Sequence, residues 1–149
     1  MIGIPRAPLL LGLAGLLPFV WGMLTQVWSP LHLWSATTLG PNFVGPSLQI
    51  TYGIVISCFM SGVLWGFATR SSGTMMIAAY GLSVMPALWV FFMVSLRSTA
   101  QADNLMIGFG AVLMIDILFH NWGLTPTWWL RLRLVLTAIV IGCLYGASA

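Results

Sequence analysis

Long apolar runs alternate along the chain with short segments that contain most of its charged residues. A helix needs about 20 mostly apolar residues to cross the hydrocarbon core of a bilayer. Each run is close to that length, and a helix satisfies its backbone hydrogen bonds internally when it lies in lipid. The pattern predicts an all-α membrane protein, a bundle of five transmembrane helices. The predicted spans cover about residues 8–27, 48–68, 74–96, 105–121 and 126–145.

Prolines and small polar residues mark several ends of these runs. Ser47 is a suitable N-cap for span two, and Thr125 followed by Pro126 predicts the start of span five. Pro18 and Pro86 instead lie inside spans one and three, where a proline removes a backbone hydrogen bond and bends the helix. We expect two kinks, either static bends whose freed carbonyl groups are bonded by neighbouring helices or hinges that open a cavity.

The composition favours lipid as the solvent for most of the protein surface. The 149 residues are 60% hydrophobic and 5% charged, whereas about 25% of the residues of a soluble domain are charged. The length fits a single transmembrane domain over residues 1–149. The basic residues are arginines placed singly or in pairs between apolar runs, so they predict topology and form no basic patch for nucleic acid.

The arginines are distributed unequally between the two sides of the predicted bundle. With the N-terminus in the cytoplasm, Arg6, Arg70, Arg131 and Arg133 lie at the inner side and Arg97 lies at the outer side. Cytoplasmic segments of membrane proteins are enriched in positive charge, so this bias predicts a cytoplasmic N-terminus and a C-terminus outside. Because no small-x-small cleavage motif follows the first apolar run, we expect an uncleaved first span.

The segment between spans one and two, residues 29–47, is long and apolar for a loop. It contains His32 and several large hydrophobic residues that would be unfavourable in water. We expect this segment either to lie along the outer membrane interface or to fold back onto the bundle.

Asp116 is the most informative polar residue, because a carboxylate inside an apolar span is costly and marks a functional site by default. His120 follows one turn later on the same helical face. Arg131 and Arg133 lie across the predicted turn in span five, and we expect one of the two to face Asp116. The pattern leaves open which one. Trp129, four residues before Arg133, could cover the guanidinium group of that arginine.

Three interpretations of this polar cluster are open. In the first, Asp116 and an arginine form a structural clasp between spans four and five. In the second, the cluster is a binding site near the cytoplasmic face for an anionic or polar headgroup. In the third, His120 titrates as part of a proton relay, although span four offers only apolar residues on the far side of Asp116.

Small residues in span two predict where helices approach one another closely. Gly53, Ser57 and Ser61 recur at four-residue spacing, and Gly62 and Gly66 form a GxxxG motif. Helices in lipid associate through such small residues, which let their backbones come together. These positions predict helix packing within the bundle or, alternatively, a docking face for another subunit.

Motifs for catalysis and for metal or cofactor binding are absent from the sequence. There is no HExxH, no phosphate-binding loop and no CxxC or zinc-ligand spacing. Cys58 and Cys143 fall inside apolar runs, where cysteine packs as a small buried hydrophobic residue. His32 and His120 belong to opposite sides of the predicted bundle, which argues against a haem held by both. We therefore expect no enzyme activity, no catalytic residue, no metal site and no cofactor.

Several segments resemble, in order, the family of proteins similar to transmembrane protein 69, a domain-of-unknown-function family of bacteria and mitochondria. The most specific segment has an aspartate in span four followed by a proline-aromatic-Leu-Arg-Leu-Arg run, here Asp116 and residues 126–133. The chain departs from the family at Leu64, where a histidine often precedes the tryptophan, and any chemistry of that histidine is in doubt here. The resembling segments are residues 5–19, 57–70, 82–92 and 108–140.

The resemblance implies a small polytopic protein of the bacterial cytoplasmic (inner) membrane or, alternatively, of the mitochondrial inner membrane. The N-terminal segment is not rich in Arg and Ser in the manner of a transit peptide, which favours a bacterial source. No catalytic residue is implied by the resemblance.

Two functions follow from this pattern as hypotheses. The lack of catalytic motifs and the abundance of helix-packing surface favour an accessory or assembly subunit that docks on a larger, energy-converting membrane complex. The alternative is a carrier or binding protein for a small lipophilic or anionic ligand, framed by the two kinks and the polar cluster. The expected partners are membrane lipid and other membrane protein subunits, and no nucleic acid.

Overall fold

A computed structural model of the chain describes residues 3–97 and 99–148. Within those residues five helices are long and apolar enough to cross a membrane and there is no β-strand, which confirms the predicted fold class. Span two begins earlier than predicted, so Ser47 lies in its first turn and does not cap it. The helices, called spans one to five, are Arg6–Val27, Gly45–Ala68, Thr74–Ser95, Gln101–Asn121 and Trp129–Ala147.

Span one consists of two helices, α1 (Arg6–Ala14) and α2 (Leu17–Val27), with a break between them. At the break the backbone amide of Leu16 donates to the carbonyl of Leu13 at 3.0 Å, only three residues back. Pro18, at which a kink was predicted, lies in the first turn of α2, where a missing backbone N–H is tolerated. None of the residues of α1 is buried, so this short helix forms an outer wall of the bundle.

The segment after span one folds back onto the bundle, as one of the two alternatives predicted. It forms a helix, α3 (Ser29–Thr38), and a 3-10 turn (Pro41–Phe43). The buried Ser35 hydroxyl donates to the carbonyl of the last residue of that turn at 3.1 Å. The backbone amide of Gly45 then donates to the Thr25 hydroxyl at 2.8 Å, which joins the start of span two to the end of span one.

Span two, α4 (Gly45–Ala68), packs against every other span, and a buried glutamine near its start joins it to spans one and five. The Gln49 side-chain amide donates to the backbone carbonyls of Phe19 at 2.9 Å and Cys143 at 3.2 Å. Its oxygen accepts a hydrogen bond from Gln26 at 3.0 Å. Gly22 leaves the space for this side chain, because a Cβ atom there would lie 3.0 Å from the Gln49 Cδ atom.

Span three consists of α5 (Thr74–Trp89) and a wider π-helical turn (Val90–Ser95). Pro86, at which the second kink was predicted, lies inside α5 just ahead of that turn. The backbone amide of Ala87 donates to the Ser61 hydroxyl of span two at 2.9 Å. A neighbouring helix thus satisfies a backbone donor beside the proline, as prolines inside lipid require.

The five small residues predicted for helix packing in span two divide into two groups. Gly53, Ser57 and Ser61 are buried, and a Cβ atom at Gly53 would overlap the Leu105 side chain of span four. Gly62 and Gly66, the two glycines of the GxxxG motif, are exposed. A Cβ atom at either would meet nothing within 4 Å in the described part of the chain. The GxxxG motif therefore faces away from its own bundle, and only the docking alternative stays open for it.

The apolar core of the bundle consists of two clusters of buried side chains. One contains Phe19, Leu105 and Phe109, and the other contains Leu64 and Phe119. The position at which the chain departs from the resembling family, Leu64, is thus fully buried among hydrophobic residues. Cys143 belongs to the first cluster as predicted, whereas the prediction that Cys58 is buried is wrong, because its side chain lies on the outward face of span two.

Candidate functional site

The Asp116 carboxylate forms a buried ion pair with Arg133 across spans four and five. The Arg133 Nε atom donates to Asp116 Oδ2 at 2.8 Å, and the exposed fractions of the two residues are 4% and 0%. The indole Nε1 atom of Trp129 donates to Asp116 Oδ1 at 2.7 Å. Both carboxylate oxygens therefore have a donor, which is the condition under which a buried charge is tolerated.

The turn between α6 (Gln101–Asn121) and α7 (Trp129–Ser148) sets the register of this pair. Gly123 has a positive φ of 71°, and its amide donates to the His120 carbonyl at 2.9 Å. The Leu124 amide donates to the Phe119 carbonyl at 3.0 Å, which completes a Schellman cap. Because only glycine adopts this φ readily, Gly123 fixes where the chain turns and which residues of α7 face Asp116.

The structure separates the other two residues of the predicted cluster from the ion pair. The His120 Nδ1 atom lies 3.0 Å from the Thr125 hydroxyl, within the turn. Thr125 was predicted to cap span five, but that helix begins at Trp129 instead. Arg131 is exposed, because residues two apart on a helix point in nearly opposite directions. Arg133 alone, of the two candidate arginines, faces Asp116.

A lateral cleft of about 480 Å³ lies beside the ion pair. Most of its walls are aliphatic and aromatic side chains of spans one, two, four and five, and the rim includes the exposed residues Leu11 and Phe59. Arg133 and Thr137 are the polar exceptions in this lining, apart from the indole of Trp129. The wall residues include Leu16, Phe19, Met60, Phe109, Leu136 and Val140.

Two buried polar atoms on residues that line this cleft have no hydrogen-bond partner within the described part of the chain. They are Arg133 Nη2 and Thr137 Oγ1, on residues four apart and therefore on one face of α7. Buried donors are normally satisfied, so each unpaired one needs an explanation. Sequence reasoning missed Thr137, although its spacing from Arg133 was visible, because nothing in the sequence revealed a cleft. It also missed that Trp129 bonds to Asp116 and that Gln49 links three spans.

The chain is similar to transmembrane protein 69 of Xenopus tropicalis, with 31% identity over 148 residues. The match covers 96% of this chain and 54% of that relative, so the chain spans about half the length of the curated relative it matches. No solved structure matches the chain. The family described as protein of unknown function (DUF3429) matches residues 4–149, which confirms the resemblance inferred from the sequence. The chain is therefore a membrane protein that belongs to the DUF3429 family.

Proposed function

We propose that this membrane protein binds a small lipophilic molecule in the lateral cleft between spans one, two and five. The observation that carries the proposal is the cleft itself, about 480 Å³ in volume with almost wholly apolar walls. Small-molecule sites in proteins have volumes of about 300–1,000 Å³ and combine apolar walls with a few polar groups. The cleft meets both criteria, since Arg133 and Thr137 are the polar groups.

The location of the cleft suits a ligand that arrives through the bilayer. Leu11 and Phe59 lie at its rim with exposed fractions of 74% and 65%, on surfaces that face lipid in a spanning bundle. A lipophilic molecule dissolved in the membrane reaches such an opening without crossing water. We propose binding or carriage and no catalysis, because both oxygens of the buried carboxylate already accept hydrogen bonds and leave no free base beside the cleft.

Filling the cleft is expected to expel the ligand. Val63 lines the cleft, whereas Val55 on the same helix is exposed and does not. The protein purified from its own membranes in mild detergent should retain a small molecule in native mass spectrometry. Val63→Phe should lose it, because the larger ring occupies the cleft, and Val55→Phe should keep it. Equal retention by both variants, or a wild-type protein without any bound small molecule, would contradict the proposal.

A second candidate function is docking on a larger, energy-converting membrane complex. Its supporting observation is the outward GxxxG motif. Gly62 and Gly66 are exposed, and a Cβ atom at either meets none of the described residues within 4 Å. Such motifs let helices of different subunits approach closely. The same native preparation discriminates between the two functions. Protein subunits at fixed stoichiometry would favour docking, whereas a bound small molecule without protein partners would favour the lipophile site.

We propose that the protein lies in the bacterial cytoplasmic membrane or, alternatively, in the mitochondrial inner membrane. We also propose that its N-terminus lies on the cytoplasmic or matrix side. The support is that Arg70 donates to the Leu124 carbonyl at 3.3 Å, and that Gly12 packs near Leu132 and Leu136. These contacts bring four of the five arginines toward one end of the bundle, the end that the positive-inside rule assigns to the cytoplasm.

Single cysteines are expected to report this orientation. In a variant in which Cys58 and Cys143 are replaced by alanine, Asn42→Cys and Ser72→Cys place one thiol in the first and the second loop, both at exposed positions. A membrane-impermeant maleimide should label Asn42→Cys in intact cells and Ser72→Cys only after lysis. The reverse pattern would mean that the N-terminus lies outside.

A further inference from the structure

We propose that the ligand of the lateral cleft carries a neutral hydrogen-bond acceptor, a carbonyl oxygen on a lipophilic body, which Arg133 Nη2–H and the Thr137 hydroxyl bind. This inference rests on the proposed function and names the chemical class of its ligand. It starts from the two polar atoms in the cleft that have no partner within the described residues.

Both donors are buried and lie on the wall of the cleft. Arg133 and Thr137 have exposed fractions of 4% and 2%, and both line the cleft. A buried donor without an acceptor costs roughly 1–3 kcal/mol. An acceptor placed between these two residues, one helical turn apart, removes that cost for both.

The Thr137 hydroxyl differs from the hydroxyls of Thr25 and Thr37, two other threonines in the helices of this protein. Thr25 donates to the carbonyls of Trp21 at 3.1 Å and Gly22 at 2.9 Å, and Thr37 donates to the carbonyl of Leu33 at 2.8 Å. Such bonds to the preceding turn are the usual way in which a helical threonine satisfies its donor. Thr137 makes no such bond, so its hydroxyl has a hydrogen bond to donate that no described residue accepts.

The charge balance of the site favours a neutral acceptor over an anion. Asp116 already compensates the Arg133 guanidinium group through the 2.8 Å contact at Nε. An anionic headgroup would bring a second negative charge close to Asp116 in a region of low dielectric constant, where like charges repel strongly. A carbonyl oxygen accepts from Nη2 and the hydroxyl and leaves the ion pair neutral overall.

The shape of the cleft indicates an elongated ligand whose polar group lies near its middle. The α7 wall of the cleft extends from Trp129 to Val140, about 16 Å at about 1.5 Å per residue. Arg133 lies about 6 Å from the Trp129 end of that wall, and Thr137 lies about 4.5 Å from the Val140 end. A carbonyl group between these two residues therefore has apolar parts of the ligand on both sides.

Two sources share this chemistry, and matched probes distinguish them. A free lipophilic ketone or quinone is represented by 7-tridecanone, whose carbonyl group is central, with tridecane as the probe that lacks the carbonyl group. The ester carbonyl of a membrane phospholipid is represented by dilauroyl phosphatidylcholine, with its ether-linked analogue as the control. Tridecanoate represents an anionic ligand.

The experiment compares the affinity of each probe for the wild-type protein and for Thr137→Val, by native mass spectrometry of the full chain in detergent micelles. The ratio of the two affinities cancels the partitioning of each probe into the micelle. Val replaces an unpaired hydroxyl by a methyl group of similar size, so we expect the variant to fold. The loss of one hydrogen bond should weaken binding of the carbonyl probe about five- to tenfold, with no loss for tridecane.

The controls separate a local effect from a general one. Ser57→Ala removes another buried hydroxyl that has no partner in the described chain, but Ser57 does not line the cleft. This variant should therefore bind every probe with unchanged affinity. Thr137→Ser retains the hydroxyl and should retain binding. A selective loss for 7-tridecanone supports the proposal with a free molecule as the source, and a selective loss for the ester lipid supports it with a phospholipid.

Other outcomes overturn the carbonyl assignment. It fails if Thr137→Val affects all probes equally, if the loss is confined to tridecanoate, or if Val63→Phe removes all probes while Thr137→Val weakens none. In the last case the proposed function stands and only the ligand class is wrong. If no probe binds to the wild-type protein, the proposed function fails together with the assignment.

Discussion

Asp116→Ala is expected to lower the free energy of unfolding by about 3–5 kcal/mol, because it leaves the Arg133 charge buried without a counterion. The two residues are among the most buried polar residues of the chain, and the carboxylate also accepts the Trp129 indole N–H. Unfolding in mixed micelles with increasing SDS, followed by far-UV circular dichroism, measures the change. The structural clasp inferred from the sequence requires an effect of this size.

A double variant tests whether the unpaired charge is the cause. Asp116→Leu combined with Arg133→Leu removes both charges, and replacing a buried ion pair by hydrophobic residues is often neutral or stabilising. We expect the double variant to recover most of the loss, apart from about 1 kcal/mol for the indole N–H without an acceptor. Arg131→Leu, on the exposed face of the same helix, should change the free energy of unfolding by less than about 0.5 kcal/mol. A loss for Arg131→Leu as large as that for Asp116→Ala would contradict the clasp.

Gly53→Leu is expected to lower the free energy of unfolding by about 1–3 kcal/mol, the usual cost of an overpacked core. A Cβ atom at Gly53 would overlap the side chain of Leu105. Leu105 is fully buried in the core cluster of the bundle and has little space into which to move. Spans two and four would have to separate locally, and the same SDS titration would report it.

Gly62→Leu on the same helix is the matched control for that substitution. Nothing within 4 Å in the described chain opposes a side chain at Gly62, and leucine favours a helix over glycine by up to about 1 kcal/mol. We therefore expect equal or slightly higher stability for the isolated protein. If Gly62→Leu nevertheless abolished co-purification of other subunits, the docking function would gain support. A destabilisation equal to that of Gly53→Leu would show that the outward face is packed.

The number of membrane spans could be predicted from the sequence because bilayer thickness fixes the length of an apolar span. Helix ends were less predictable, since side-chain contacts decide them locally. Thr125 illustrates this point: its position before Pro126 is typical of an N-cap, yet its hydroxyl contacts His120 within the turn. Span five begins at Trp129, four residues after the predicted cap.

The candidate site was predictable only in part. A carboxylate in an apolar span requires a partner, so an arginine facing Asp116 was foreseeable. Which arginine faces Asp116 depends on where Gly123 turns the chain. If the turn were shifted by two residues, Arg131 would face Asp116 instead of Arg133. The cleft was not predictable at all, because it arises where α1 and α4 stand apart over α7, and no local pattern in the sequence encodes the distance between helices.

The ion pair also has a consequence for how the protein reaches its membrane. A translocon that released span four alone would leave Asp116 in lipid, and span five alone would do the same for Arg133, each at a cost of up to about 2.5–3.5 kcal/mol, the value at the centre of a span. The two spans are consecutive and joined by a short turn, so the counterion emerges from the ribosome soon after the charge that needs it. Insertion of the two spans as a helical hairpin avoids both costs.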